Sequence, residues 1–149
     1  MGTIIAVVNQ KGGVGKTTSA VNLTAALTDA GKRVLLCDFD PQANATSGLG
    51  LDKRKISKSV YDVIIDETPV REVIVQTKYG DVLPSSSDLA GAAVELLSMP
   101  QPNYQLKKAL DEIKREYDAI LIDCPPSLEL LTINGLAAAD SILVPVQCE

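Results

Sequence analysis

The sequence contains no histidine and no tryptophan, with one phenylalanine and four tyrosines. Aromatic residues make up 3% of the chain, so its core has to be assembled from Val, Ile, Leu and Ala. The three cysteines, Cys37, Cys124 and Cys148, are odd in number, widely spaced and unaccompanied by histidine. That pattern fits reduced thiols rather than a disulfide framework. Each follows a β-like run, which leaves open a metal shared at one sheet edge. No stretch approaches the ~20 apolar residues of a membrane span, and no charged segment leads into an apolar one as in a secretory signal. These absences predict a cytoplasmic chain with no membrane partner. Basic residues are not in excess either, since the formal net charge is -5. A dominant basic footprint for nucleic acid is thereby disfavoured. The one basic cluster, Lys53-Arg54-Lys55-Ile56-Ser57-Lys58, reads as a solvated loop.

What the chain does have is a glycine-rich stretch, Gln10-Lys11-Gly12-Gly13-Val14-Gly15-Lys16-Thr17-Thr18, directly after the apolar run at residues 3–9. A strand, a glycine loop and a helix in that order form a phosphate cradle. Gly12, Gly13 and Gly15 allow backbone N–H groups to converge on an anion, while Lys16 supplies a point charge and Thr17 a hydroxyl for Mg²⁺. The strict pattern G-x-x-x-x-G-K-[ST] would place glycine at Gln10 and leaves Lys11 unspecified. A chance match at six positions anywhere in a chain this long has a probability of about 10⁻⁵, so a bare turn that binds nothing is the weaker reading.

Further along, β-like and helix-like runs alternate, the pattern of an α/β protein with a three-layer parallel sheet covered by helices on both faces. At 149 residues the chain fits one domain spanning residues 1–149. A first helix is expected over residues 16–30, with Ala20, Leu23, Thr24 and Leu27 on one face and Gly31 as its C-terminal stop. Residues 33–38 read as a buried strand ending in Asp38, and residues 39–50 as an irregular loop at the ligand end of the sheet. A short helix at 59–65 is followed by strands near 73–77 and 81–84. Two helices then follow: 88–99 with Ser87 as N-cap, and 103–117 with Leu106, Leu110 and Ile113 as its apolar stripe. The run 117–123 is a strand closing on Asp123, an acid that in a phosphate-loop protein supports Mg²⁺ through water and otherwise caps a strand end. A helix at 128–139 and a strand at 141–146 complete the chain.

These residues carry a resemblance. Lys11-Gly12-Gly13-Val14-Gly15-Lys16-Thr17, Asp38-Phe39-Asp40-Pro41-Gln42, Asn44-Ala45-Thr46-Ser47-Gly48-Leu49-Gly50, Asp123-Cys124-Pro125-Pro126-Ser127 and Pro145-Val146-Gln147-Cys148-Glu149 resemble the ParA/Soj family of chromosome and plasmid partition ATPases. The resemblance implies a P-loop NTPase of the deviant Walker type that uses ATP and Mg²⁺ and forms an ATP-sandwich homodimer. Lys11 would be the signature lysine reaching the partner's nucleotide, and Lys16 the phosphate-loop lysine acting in cis. The loop from Lys11 through Thr18 (Gly12, Gly13, Val14, Gly15, Lys16, Thr17) would bind the nucleotide. Thr17 would ligate Mg²⁺, Asp123 would support that ion in its second shell with Asp38 as a further shell partner, and Asp40 would position or activate the attacking water.

The family normally continues for roughly a hundred further residues, which carry the adenine-enclosing segment and the basic residues for non-specific DNA binding. The chain is thus expected to be an N-terminal portion with little DNA affinity of its own. A ParB-type centromere-binding protein is the implied partner, and nucleoid association the implied location of the full-length family. Two other readings stay open. One is a MinD-like or metallocluster-carrier ATPase of the same superfamily, although Asp40-Pro41-Gln42 followed by Asn44-Ala45-Thr46 favours the partition branch. The other is a non-catalytic segment acting as a dimerisation partner.

Overall fold

The structure, a computed structural model, describes residues 2–8, 16–126 and 130–145. In chain order its elements are β1 (Thr3–Val7), α1 (Lys16–Asp29), β2 (Val34–Asp38), α2 (Asn44–Gly48), α3 (Val60–Ile65), β3 (Val75–Thr77), β4 (Gly80–Leu83), α4 (Ala92–Leu97), α5 (Gln105–Asp111), β5 (Ala119–Asp123), α6 (Leu130–Ala138) and β6 (Ser141–Leu143). The strands form one sheet in the order β3-β4-β2-β5-β1-β6.

Period-two side-chain alternation builds a core on each face of the sheet. Val34 and Leu36 of β2, Leu121 of β5 and Val7 of β1 pack with Ala20 of α1 and Ala45 of α2. Their strand neighbours Leu35, Cys37, Ile120, Ile122 and Ile4 turn to the other side and meet α3, α4, α5 and α6. The three-layer expectation holds, and burial on both faces explains why β2 and β5 read as unbroken apolar runs. Each such side chain contributes roughly 1.5–3 kcal/mol on leaving water. Leu106, Leu110 and Ile113 form the buried stripe read from the sequence. Gly31 ends α1 at φ 88°, and the Lys32 N–H closes back on the Leu27 carbonyl at 3.0 Å.

Several expectations are corrected. The sheet is not wholly parallel, because β3 runs antiparallel to β4 with Thr77 opposite Gly80. Only Lys78 and Tyr79 separate them, far too few residues for the crossover a parallel pair needs. The loop read at 39–50 contains α2, whose Ala45 and Thr46 are buried, Ala45 against Ala20 of α1. Gly48 lets the two helices approach, since a Cβ there would sit 2.9 Å from Val21 Cγ2.

The helix read at 88–99 is a 3-10 turn, Ser87–Gly91, leading into α4, and Ser87 lies inside the turn rather than capping it. The helix read at 103–117 stops at Asp111, and a further 3-10 turn, Lys114–Glu116, brings the chain to β5. The strand read at 73–77 begins at Val75, and the one at 141–146 ends at Leu143. Short elements obey local turn chemistry that an apolar pattern does not encode. β6 lies at the sheet edge with Ile142 and Leu143 exposed. Among the described residues, no helix is long and apolar enough to cross a membrane.

Candidate functional site

Parallel strands deliver their C-terminal residues to one end of the sheet, and here two of those residues are aspartates. β2 and β5 are hydrogen-bonded neighbours in a register that sets Asp38 beside Asp123. α1 begins at Lys16, so its first residues, Lys16 and Thr17, arrive at the same end. The Lys16 ammonium is fully buried and bonds Asp123 Oδ1, while the Thr17 hydroxyl donates to Asp123 Oδ2 at 3.0 Å. Asp40 Oδ2 stands 3.8 Å from the same ammonium. The structure therefore brings Lys16, Thr17, Asp40 and Asp123 together, while Thr18 on the next position of α1 is exposed. Lys11, Gly12, Gly13, Val14 and Gly15 lie outside the described residues.

A buried ammonium beside buried carboxylates is costly unless each charge is paired. Burial raises the Asp123 carboxyl above its ordinary range, and the Lys16 ammonium beside it pulls in the opposite direction. Asp38 is pushed up to about 7, chiefly by burial and further by the Asp123 carboxylate, against the bonds from Thr46.

Asp38 has a different set of partners from Asp123. Its Oδ2 accepts the Thr46 N–H at 2.8 Å and the Thr46 hydroxyl at 2.7 Å, and its Oδ1 accepts the Asp40 N–H at 3.2 Å. Ser85, just beyond β4, donates its N–H to Thr46 Oγ1 at 3.1 Å and its hydroxyl to the Asp40 carbonyl at 2.7 Å. Sequence reasoning did not single out Thr46 or Ser85 as side chains of the site. Thr46 stood within a family motif and Ser85 within a serine run, and neither pattern reveals a buried hydroxyl.

The donor set fits a magnesium–phosphate ligand. Mg²⁺ takes one or two protein oxygens and completes its shell with water and phosphate, as the Thr17 hydroxyl and the Asp123 carboxylate would allow. The N-terminus of α1 adds a favourable field for an anion. Burial raises the Cys37 and Cys124 thiols, Cys124 to about 12, the character of an inert structural thiol. Cys148, the third member of the metal reading, lies outside the described residues.

The protein-family model described as AAA domain matches residues 2–149. The sporulation initiation inhibitor protein Soj of Bacillus subtilis is 55% identical over 100% of the chain, which covers 60% of that relative. The chromosome partitioning protein ParA of Myxococcus xanthus is 50% identical, again over 100% of the chain and 53% of the relative. The chain thus spans little more than half the length of these curated relatives. Among solved structures, cobyrinic acid a,c-diamide synthase from Mycobacterium smegmatis with bound ADP and magnesium superposes with a TM-score of 0.95 at 46% identity. That match covers 100% of the chain and 61% of the other. A putative plasmid partition protein from Borrelia burgdorferi bound to AMPPNP gives a TM-score of 0.83 at 31% identity, over 97% of the chain and 61% of the other.

Proposed function

The chain belongs to the AAA-domain family in its ParA/Soj branch, and on that premise we propose that it binds ATP with Mg²⁺ and hydrolyses it in chromosome or plasmid partition. The observation that carries the reading is the convergence of Lys16, Thr17, Asp40 and Asp123 at the C-terminal ends of β2 and β5, next to the start of α1. Lys16 is the cis cation for the phosphates. Thr17 and Asp123 would hold Mg²⁺, which when bound neutralises phosphate charge. Asp40 orients the attacking water, and the segment 11–15 together with Thr18 contributes to the nucleotide cradle. Phosphoryl transfer requires positioning and charge stabilisation more than covalent chemistry, and these residue types supply both.

Lys11 is assigned to the trans position, entering the nucleotide site of a second copy and making hydrolysis depend on an ATP-bound homodimer. Its chemistry would be that of an arginine finger. A ParB-type protein and, through residues the longer relatives carry, non-specific DNA are the proposed further partners. Asp38, expected from the resemblance to join the metal shell, already accepts three donors. We read it as a loop anchor instead.

The test is Lys11→Ala, followed by ATP-dependent dimerisation and hydrolysis. Loss of both with ATP binding retained supports the trans role, and retention of both overturns it. A second reading comes from the TM-score of 0.95 to a cobyrinic acid a,c-diamide synthase. Conversion of cobyrinic acid to its a,c-diamide by this chain would favour that reading over partition.

A further inference from the structure

The geometry points to Thr46 and Ser85 as positioning residues for Asp40, acting through a buried clamp anchored on Asp38. This rests on the reading of Asp40 as the residue that orients the attacking water.

Asp40 lies in a segment with few backbone constraints of its own, between the end of β2 and the start of α2. Three elements nonetheless fix it. From β2, Asp38 Oδ1 accepts the Asp40 N–H at 3.2 Å. From beyond β4, the Ser85 hydroxyl donates to the Asp40 carbonyl at 2.7 Å. From α2, Thr46 joins the other two, since its hydroxyl donates to Asp38 Oδ2 at 2.7 Å and accepts the Ser85 N–H at 3.1 Å. Asp38, Thr46 and Ser85 are each fully buried, so water does not compete for these bonds.

The carboxylate of Asp40 is oriented by the same arrangement. Its Oδ1 accepts the Gln42 N–H at 3.0 Å, and its Oδ2 faces the Lys16 ammonium at 3.8 Å. The chain is held in an unfavourable conformation nearby. Ala43 has φ 56° and ψ 32°, the left-handed region that a residue with a Cβ seldom occupies. Its N–H bonds the Asp40 carbonyl at 2.9 Å, the same oxygen that Ser85 engages. Strain of this kind persists where the surroundings over-determine it, and here the Ser85 hydroxyl, with Ser85 itself held through Thr46, engages the carbonyl that the Ala43 N–H also bonds. Displacing a catalytic group by about 1 Å costs on the order of 100-fold in rate, so a clamp at both backbone ends of Asp40 acts on turnover rather than on nucleotide affinity.

The experiment compares Ser85→Ala, Thr46→Val, Thr46→Ser and Asp40→Ala by steady-state ATP hydrolysis, Mg-ATP affinity and amide hydrogen exchange. For Ser85→Ala and Thr46→Val we expect kcat to fall about 10- to 100-fold with KM and Mg-ATP affinity within about 2-fold. Thr46→Ser, which keeps the hydroxyl, restores most of the loss. Exchange at the Asp40 and Ala43 amides speeds up in Ser85→Ala while exchange in β5 is unchanged, a local signature that a general loss of stability would not give. If Asp40→Ala abolishes hydrolysis but Ser85→Ala and Thr46→Val turn over like the parent, the positioning role is wrong. If Asp40→Ala hydrolyses at the parent rate, the reading of Asp40 fails, and unaltered exchange at Asp40 in Ser85→Ala removes the clamp irrespective of turnover.

Discussion

The charged side chains at the C-terminal end of the central strands are buried, whereas those on the outer helices and turns pair in solvent. Lys16, Asp38 and Asp123 are fully shielded and Asp40 is 7% exposed. Arg71–Glu116, Lys107–Asp111 and Asp52–Arg54 are ion pairs by distance as well, but their side chains stand largely in water. In solvent, screening and side-chain entropy consume most of what such a pair gains. In the interior, desolvation is severe, and each charge depends on its partner. A fold that needed only stability would place apolar residues at 16, 38 and 123. Buried charges with perturbed carboxyls are the pattern that concentrates at functional sites, and it is the basis for proposing that end of the sheet as the nucleotide site.

The contrast can be broken from its strong side first. Asp123→Ala leaves the buried Lys16 ammonium with only the Asp40 carboxylate at 3.8 Å, and about 3 kcal/mol of stability should be lost, read as a lower urea midpoint with an unchanged m-value. Thr46→Val comes next. It leaves the Ser85 N–H without its acceptor and Asp38 Oδ2 with one donor fewer, at about 1–3 kcal/mol.

The raised Asp38 carboxyl sets a pH dependence of known sign. Its folded-state value of about 7 lies above the ordinary 3.8, so between those values the folded protein binds more protons than the unfolded one. Its contribution to stability is complete below about pH 4 and is lost as pH rises toward 7, at roughly 1 kcal/mol per pH unit. Asp38→Asn should remove that slope, which paired denaturation series from pH 4 to pH 8 would show. At the weak end, Glu116→Gln removes the charge facing Arg71 and should leave the midpoint within experimental error. A Glu116→Gln loss as large as that of Asp123→Ala would dissolve the distinction between the two regions.

The sequence was informative where one physical demand dominated. β2 and β5, buried on both faces, declared themselves as continuous apolar runs, and Leu106 and Leu110 marked the inner face of α5 by helical spacing. It was uninformative where a few local contacts decide. The five residues of α2 are held because Ala45 packs with Ala20 of α1 and Asp38 receives the Thr46 donors, none of which leaves a periodic trace. The reversal at β3 depends on a turn of two residues between Thr77 and Gly80.

At the site, Lys16, Thr17, Asp40 and Asp123 were legible because phosphate chemistry and a family motif name those residue types. The arrangement that brings them together came only from the strand register, which puts Asp38 beside Asp123. Thr46 and Ser85 were illegible as site residues, since a buried hydroxyl looks like any surface hydroxyl in sequence. Their partners lie 8 and 45 residues away along the chain.

The most direct test of the central claim is calorimetric titration of Mg-ATP into the protein and into Lys16→Ala. If the buried ammonium is kept for the phosphates, the parent binds and the variant loses affinity by about 10- to 100-fold, the loss of one charge-assisted contact. Equal affinity of the two proteins for Mg-ATP would contradict the account.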